Sequence, residues 1–195
     1  MLSPNCHCPA IPTSSLSPRI LFASNWYLEV VSNAEFKSIF EANQDAVYGF
    51  AWRMTGSPGV AEDIAQDAFL LLLKSPGSYS PAKGTVRAWL LGVARNLILK
   101  RWRSEERWAQ LDDELPRTAD KAPPGSWETR ERVAYAVQSL SPLQREVVIL
   151  VEYEGLTLEE TARAVDTELG TVKARLHRAR TNLRTLLEPL REHRS

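Results

Sequence analysis

The stretch TLEETARAVDTELGTVKARLHRAR, residues 157–180, decides how the carboxy-terminal part of the chain folds. Thr157 followed three positions later by Glu160 pairs an N-cap hydroxyl with a carboxylate that bonds back to it, so a helix starts here. Leu158, Ala162 and Val165 fall on its inner face. Asp166 and Thr167 make a short turn, and from about Glu168 a second helix carries Val172, Leu176, Ala179, Leu183 and Leu187 on one stripe. A helix, a tight turn and a second helix at this spacing form a helix-turn-helix. Beside the apolar stripe lie Lys173, His177, Arg180 and Arg184, flanked by Arg175 and Arg178, and no acidic residue occurs between Thr171 and Leu187. A cationic face next to a buried one suits a helix docked in the major groove, with Gly170 allowing the backbone to approach a phosphate. Glu152, Glu154, Glu159 and Glu160 crowd the preceding segment, so charge is segregated along the chain.

Upstream of this stretch, Ser141-Pro142 followed by Gln144 gives a second N-cap pairing, and the helix after it buries Leu143, Val147, Leu150 and Val151. This second unit, 128–190, begins around Trp127. Before it, 109–127 holds Asp112, Asp113, Glu114, Asp120 and Pro123-Pro124-Gly125 without apolar periodicity, the composition of an acidic, flexible linker. Residues 32–108 read as a three-helix unit. Phe36, Ile39, Phe40, Val47, Phe50, Ala51 and Met54 recur at helical steps until Gly56 and Pro58. Val60, Ile64, Ala68, Leu71 and Leu72 line the inner face of the next helix, which Pro76-Gly77 closes. The third begins near Thr85, carries Val86, Trp89, Leu90, Val93, Leu97 and Ile98 inward, and ends in Lys100-Arg101-Trp102-Arg103. No alternating run is long enough for a strand, so the class is all-α: two small helical domains joined by a linker.

Residues 1–31 are rich in Pro and Ser and read as a disordered extension. A start codon downstream of Met1, near Val30 and Val31, is one reading of it, which mass spectrometry of the natural N-terminus tests. Cys6-His7-Cys8 offers soft ligands, but three adjacent residues without a fourth do not make a metal site, and no cofactor is expected. The only cysteines, Cys6 and Cys8, stand too close together for a structural disulfide. The first thirty residues lack the basic start and apolar core of a secretory signal, and no run of about 18 apolar residues could span a bilayer. A cytoplasmic protein with no membrane partner is therefore expected. With 24 basic and 24 acidic residues the formal net charge is zero, so an argument for nucleic acid must rest on where the charges sit.

Three runs in the second unit carry a family resemblance: LSPLQREV at 140–147, YEGLTLEETA at 153–162 and GTVKARLHRAR at 170–180. Together they resemble region four of the extracytoplasmic-function sigma factors of bacterial RNA polymerase. The resemblance implies that the second helix reads the minus-thirty-five promoter element. It puts Lys173, Ala174, His177 and Arg178 at the groove, Thr171 in the same contact set and Arg175 close to the backbone. Asp166 and Thr167 depart from the Gly and apolar residue common in that turn.

The first unit continues it. AEDIAQDAF at 61–69 resembles region 2.2, which implies a polymerase-binding face of Asp63, Gln66, Asp67 and Leu70 on the clamp coiled coil, as region four implies contact with the flap. YSPAKGTVRAWL at 79–90 and VARNL at 93–97 resemble regions 2.3 and 2.4, which open the minus-ten element and hold the non-template strand. Capturing an unstacked base needs an amide for its hydrogen-bonding edge and cations for the backbone. The resemblance makes Asn96 the amide expected there. The loop from Tyr79 through Lys83 to Thr85 is the pocket wall, and Arg95, Lys100, Arg101 and Arg103 track phosphates, while Trp89 reads as core.

The expected function is thus a sigma factor, without catalysis of its own, that binds core polymerase and promoter DNA and assists strand opening; family habit adds an anti-sigma inhibitor. The alternative is a stand-alone helix-turn-helix regulator, which leaves the 63–69 face and the loop before Asn96 unexplained. An enzyme is disfavoured: there is no phosphate-binding glycine loop, no nucleophile with a base partner and no ligand cluster of metal-site spacing.

Overall fold

The first helix, α1 (Asn33–Thr55), ends where Gly56 takes φ +71° and donates its N–H to the Trp52 carbonyl at 2.7 Å, a left-handed exit that glycine adopts without steric penalty. In the computed structural model, which describes residues 33–104 and 129–192, every regular element is helical. The expectations for 1–31, Cys6-His7-Cys8 and the linker 109–127 lie outside the described residues. Ser57 caps α2 (Pro58–Lys74), its hydroxyl accepting from the Val60 N–H, with Pro58 in the first turn. Phe36 and Phe40 of α1 pack against Phe69 of α2, the closer pair edge-on at 4.8 Å between ring centroids. Two short 3-10 turns, Pro76–Ser78 and Pro81–Lys83, lead to α3 (Val86–Ser104). There the Thr85 hydroxyl accepts from the Ala88 N–H at 3.2 Å.

The second unit comprises α4 (Thr129–Ser139), α5 (Pro142–Val148) running into a wider π-helical turn at Ile149–Tyr153, α6 (Leu158–Ala164) and α7 (Leu169–Glu192). Thr157 and Glu160 form the reciprocal cap expected of them, each accepting from the other's backbone N–H at 3.1 and 3.0 Å. The turn before α7 puts Asp166 at φ +49°, the one non-glycine among the described residues with positive φ. Asp tolerates that conformation better than most side chains, so the departure from Gly leaves the helix-turn-helix intact.

Three local expectations are corrected. The Ser141 hydroxyl makes no cap hydrogen bond and is buried without a partner, while Gln144 Oε1 accepts from Asn182 Nδ2 at 2.9 Å. Because α5 is enclosed on nearly every side, Gln144 is drawn to α7 rather than back to its own helix start. Leu71, expected inside, is 40% exposed, and Phe69 and Leu72 take the core positions of that turn. On α3 the expected single stripe understates burial: Ala88, Leu91, Gly92, Ala94, Leu99 and Trp102 are buried beside Leu90 and Ile98, while Val86, Trp89, Val93 and Leu97 are half-buried. The cause is that α3 is covered on two sides, by α1 and α2 and by α6.

One apolar core therefore runs through both units, from Phe50, Met54 and Leu91 to Leu140, Leu150 and Val172. Gly92 marks the tightest crossing: a Cβ there would stand 3.2 Å from the Ala164 carbonyl oxygen and 3.4 Å from its Cα. Glycine inside a helix costs roughly 1 kcal/mol against alanine, and this close approach of α6 is what it permits here.

Candidate nucleic-acid interface

Two cationic regions are on the surface, and the fold treats them differently. On α7, Lys173, Ala174, His177 and Arg178 are exposed and Thr171 is half-exposed, so the expected groove-reading set forms one accessible face. Around Gly170 an added Cβ would meet no atom within 4 Å, leaving room for close approach. Arg180 is turned aside by Glu152, with nitrogens 2.6 and 3.0 Å from one carboxylate oxygen. Arg175 departs from its expected place near the DNA backbone: its side chain is only 14% exposed and points to Glu146 at 3.5 Å.

The residues expected at the minus-ten strand gather less completely. Lys83, Arg95, Asn96 and Arg103 line one cleft together with Trp89, while Lys100 and Arg101 do not. Lys100 is exposed, and Arg101 reaches back to Asp63 of α2 at 3.5 Å. Tyr79 anchors the loop: its hydroxyl donates to the Gly84 carbonyl at 3.3 Å, its ring lies 5.9 Å from Trp89, and burial pushes its phenol above the ordinary value. Trp89 is thus half-buried at the cleft wall rather than sealed in the core. The opposite wall is α6, with Glu160, Arg163 and Ala164, followed by Asp166.

The third set, Asp63, Gln66, Asp67 and Leu70, is exposed along α2, and Leu70 at 42% joins Leu71 and Leu73 in an apolar strip beside the two acids. A mixed acidic and apolar helix face of this kind suits a protein partner, because exposed leucines in a row are costly to leave in water.

The chain matches the model of Sigma-70 region 2 over residues 39–108 and that of Sigma-70 region 4 over residues 130–183. It is 34% identical over 149 residues to the ECF RNA polymerase sigma factor SigK of Mycobacterium sp. (strain KMS), covering 72% of this chain and 77% of that one. The chain belongs to the extracytoplasmic-function sigma factors. This sigma factor is also 35% identical over 150 residues to SigE of Mycolicibacterium smegmatis, across 73% of its own length and 58% of the relative's. Among solved structures it is similar to the sigma factor RpoE of Bartonella quintana, determined with the anti-sigma factor NepR. The TM-score is 0.63 and the identity 28%, over 79% of this chain and 97% of that one. CnrH, solved with the cytosolic domain of CnrY, has the same fold at TM-score 0.61 and 22% identity, over 87% and 96% of the two chains.

What the sequence did not announce is how the sigma factor's two units are tied together. Glu146 of α5, with a side chain 1% exposed, accepts from Arg95 Nε of α3 at 2.7 Å. Glu154 accepts from Arg87 at 2.7 Å and lies 3.7 Å from Arg53, whose guanidinium also sits 4.5 Å above the Tyr153 ring. Burial pushes the Glu154 carboxyl above its ordinary value, against the two arginines that favour its charge. Glu160 accepts from the Thr85 hydroxyl at 3.2 Å. Gln138 and Arg145 donate to the Arg53 and Met54 carbonyls at 2.6 and 3.0 Å, supplying donors to the end of α1 from the other unit. A run of glutamates next to a basic helix was the available signal, but pairing across 51 or 67 residues leaves no local trace.

Proposed function

We propose that this sigma factor binds core RNA polymerase through the α2 face of Asp63, Gln66, Asp67 and Leu70 against the clamp coiled coil, with its second unit at the flap. The division into 32–108 for polymerase binding and minus-ten work, and 128–190 for the upstream element, belongs to this reading. The face of Thr171, Lys173, Ala174, His177 and Arg178 enters the major groove of the minus-thirty-five element. Asn96 then receives an unstacked base of the minus-ten strand, with Tyr79 holding the loop, and Lys83, Arg95 and Arg103 meeting the backbone. Lys100 and Arg101 serve the adjoining duplex. The protein carries no catalysis of its own: polymerase supplies the chemistry, and the sigma factor supplies position and the energy of strand capture. It acts in the cytoplasm, and an anti-sigma protein is a fitting inhibitor by likeness to the RpoE–NepR complex. No described helix is long and apolar enough to cross a membrane.

The observation that carries this reading is the pairing of an exposed cationic recognition face on α7 with an amide at a cation-lined cleft on α3. Unstacking one base costs a few kcal/mol, and stacking on aromatic walls with an amide contact offsets an amount of that order. Run-off transcription with purified core enzyme tests it: a transcript starting at a defined promoter is expected. A chain that binds promoter duplex yet yields no promoter-dependent transcript is a stand-alone regulator instead.

A further inference from the structure

Arg175 stands next to the reading face of α7 without joining it. Its side chain is only 14% exposed, and its guanidinium lies 3.5 Å from the carboxylate of Glu146, a side chain 1% exposed. We propose that Arg175 and Asn182 are positioning residues: held by Glu146 and Gln144 of α5, they fix the roll of α7 about its own axis and so aim the upstream-reading side chains, without touching DNA themselves. This inference rests on the groove-reading function proposed above and adds how its specificity is set.

Apolar packing is non-directional, and the stripe that seats α7, Val172, Leu176 and Ala179, is buried but narrow. At about 100° per residue, Arg175 and Asn182 fall about 60–90° to one side of that stripe, and Ala174, His177 and Arg178 more than about 120° from it. Two ties, two turns apart on one flank, therefore set which way the reading side chains face. Asn182 Nδ2 donates to Gln144 Oε1 at 2.9 Å, and Gln144 is buried. On the other flank Arg180 meets Glu152 at 2.6 Å, but both side chains are about half exposed, so that tie is weaker. The anchor is firm: Val147 and Val148 of α5 are buried, and Arg145 donates to the Leu140 carbonyl at 3.1 Å.

With side chains reaching about 5–6 Å from the helix axis, a roll of about 20° moves a tip by about 2 Å. Recognition needs side chains held to within about 0.5 Å and 10–20°. Stability alone does not account for the buried pair, since apolar residues of similar volume in place of such a pair are often as stable or more so. An ion pair or hydrogen bond, by contrast, has a preferred geometry. Arg95 reaches the same carboxylate from α3, but the Glu146–Arg175 and Gln144–Asn182 contacts lie wholly within the second unit and act however the two units are disposed.

The test uses holoenzyme reconstituted from core polymerase and the full chain, an upstream duplex selected from a random pool by the parent holoenzyme, and a scrambled duplex of the same length. With Arg175→Gln, the preference for the selected duplex is expected to fall about tenfold, the worth of one lost base contact. Affinity for the scrambled duplex and its salt slope should stay at parental values, because Arg175 neutralises no phosphate. Asn182→Ala removes the second tie and leaves the buried carboxylate its arginines, so it should lower the preference in the same way and keeps the test decisive where Arg175→Gln fails to fold. Thermal melts set an assay temperature at which each variant is folded, so a loss of stability alone leaves the preference unchanged. A salt slope lower by about one places Arg175 on a phosphate instead, and an Asn182→Ala protein with parental preference shows that the α5 contacts do not aim the helix; either result overturns the inference. A parent holoenzyme that selects no duplex overturns the groove reading itself, so the two failures are distinguishable.

Discussion

Asp166 sits at φ +49° in the turn of the helix-turn-helix, where a side chain with a branched Cβ would collide with its own backbone. Replacing it with valine is expected to cost about 1–2 kcal/mol, whereas Asp166→Gly should be neutral or mildly stabilising. Urea denaturation of the two variants checks this, and a valine variant as stable as the parent would mean the turn adopts another conformation. Glu160 offers a second prediction through its charge. The Thr157 N–H holds its carboxyl below the ordinary value, helped by the hydroxyls of Thr157 and Thr85 and by Arg163, with burial opposing. A carboxyl depressed in the folded state contributes stability that is present above its unfolded value and lost as pH falls through the folded one. Glu160→Gln keeps an acceptor for the Thr157 N–H and removes only the charge, so it should lower stability near neutrality by about 0.3–1 kcal/mol, the worth of a carboxylate at a helix N-terminus. The gap should shrink as acid protonates the parent, and denaturation series at neutral and acidic pH would reveal a constant gap if the charge plays no part.

At the level of elements, α7 and α3 divide the proposed work, and single substitutions should divide it likewise. Lys173→Glu on the exposed face of α7 is expected to weaken upstream duplex binding by about 1–3 kcal/mol and to flatten its salt dependence. Asn96→Ala on α3 should leave that duplex affinity in place and impair opening, which permanganate reactivity of the minus-ten thymines measures. An Asn96→Ala protein that opens promoters normally removes Asn96 from the strand pocket. These elements also show what a linear reading can and cannot reach. The Thr157–Glu160 cap, the break at Gly56 and the stripe of Val172, Leu176 and Ala179 were legible because their determinants lie within one or two turns of each other. The burial of α3 on two sides was not, since a helix covered from both directions shows no clean apolar face to its own periodicity. Arg95 and Arg175 look like DNA contacts in sequence because both are cationic on reading helices. Their common partner Glu146 is legible only once α5 is seen threaded between them.

For the molecule as a whole, the coupling of the two units depends on how strongly a few polar links act beside a shared core. Each net hydrogen bond is worth about 1 kcal/mol, and pairs involving Glu146 and Glu154, with side chains 1% and 5% exposed, are poorly screened by salt. Their desolvation offsets part of that attraction, so each link adds only modestly to the coupling. Losing two of them, in a protein carrying Gln138→Ala and Glu154→Ala, removes about 2 kcal/mol of coupling between the units. A small domain is held by about 5–15 kcal/mol, so each unit should keep its own fold in that variant. The continuous core from Phe50 to Val172 implies that the parent chain unfolds as one body. On heating, its calorimetric and van't Hoff enthalpies should agree. In the doubly substituted protein the van't Hoff enthalpy should fall below the calorimetric one as the units melt separately. A parent that already melts in two steps would show that each unit is stable without the other, and that the polar links between them do not couple the two folds.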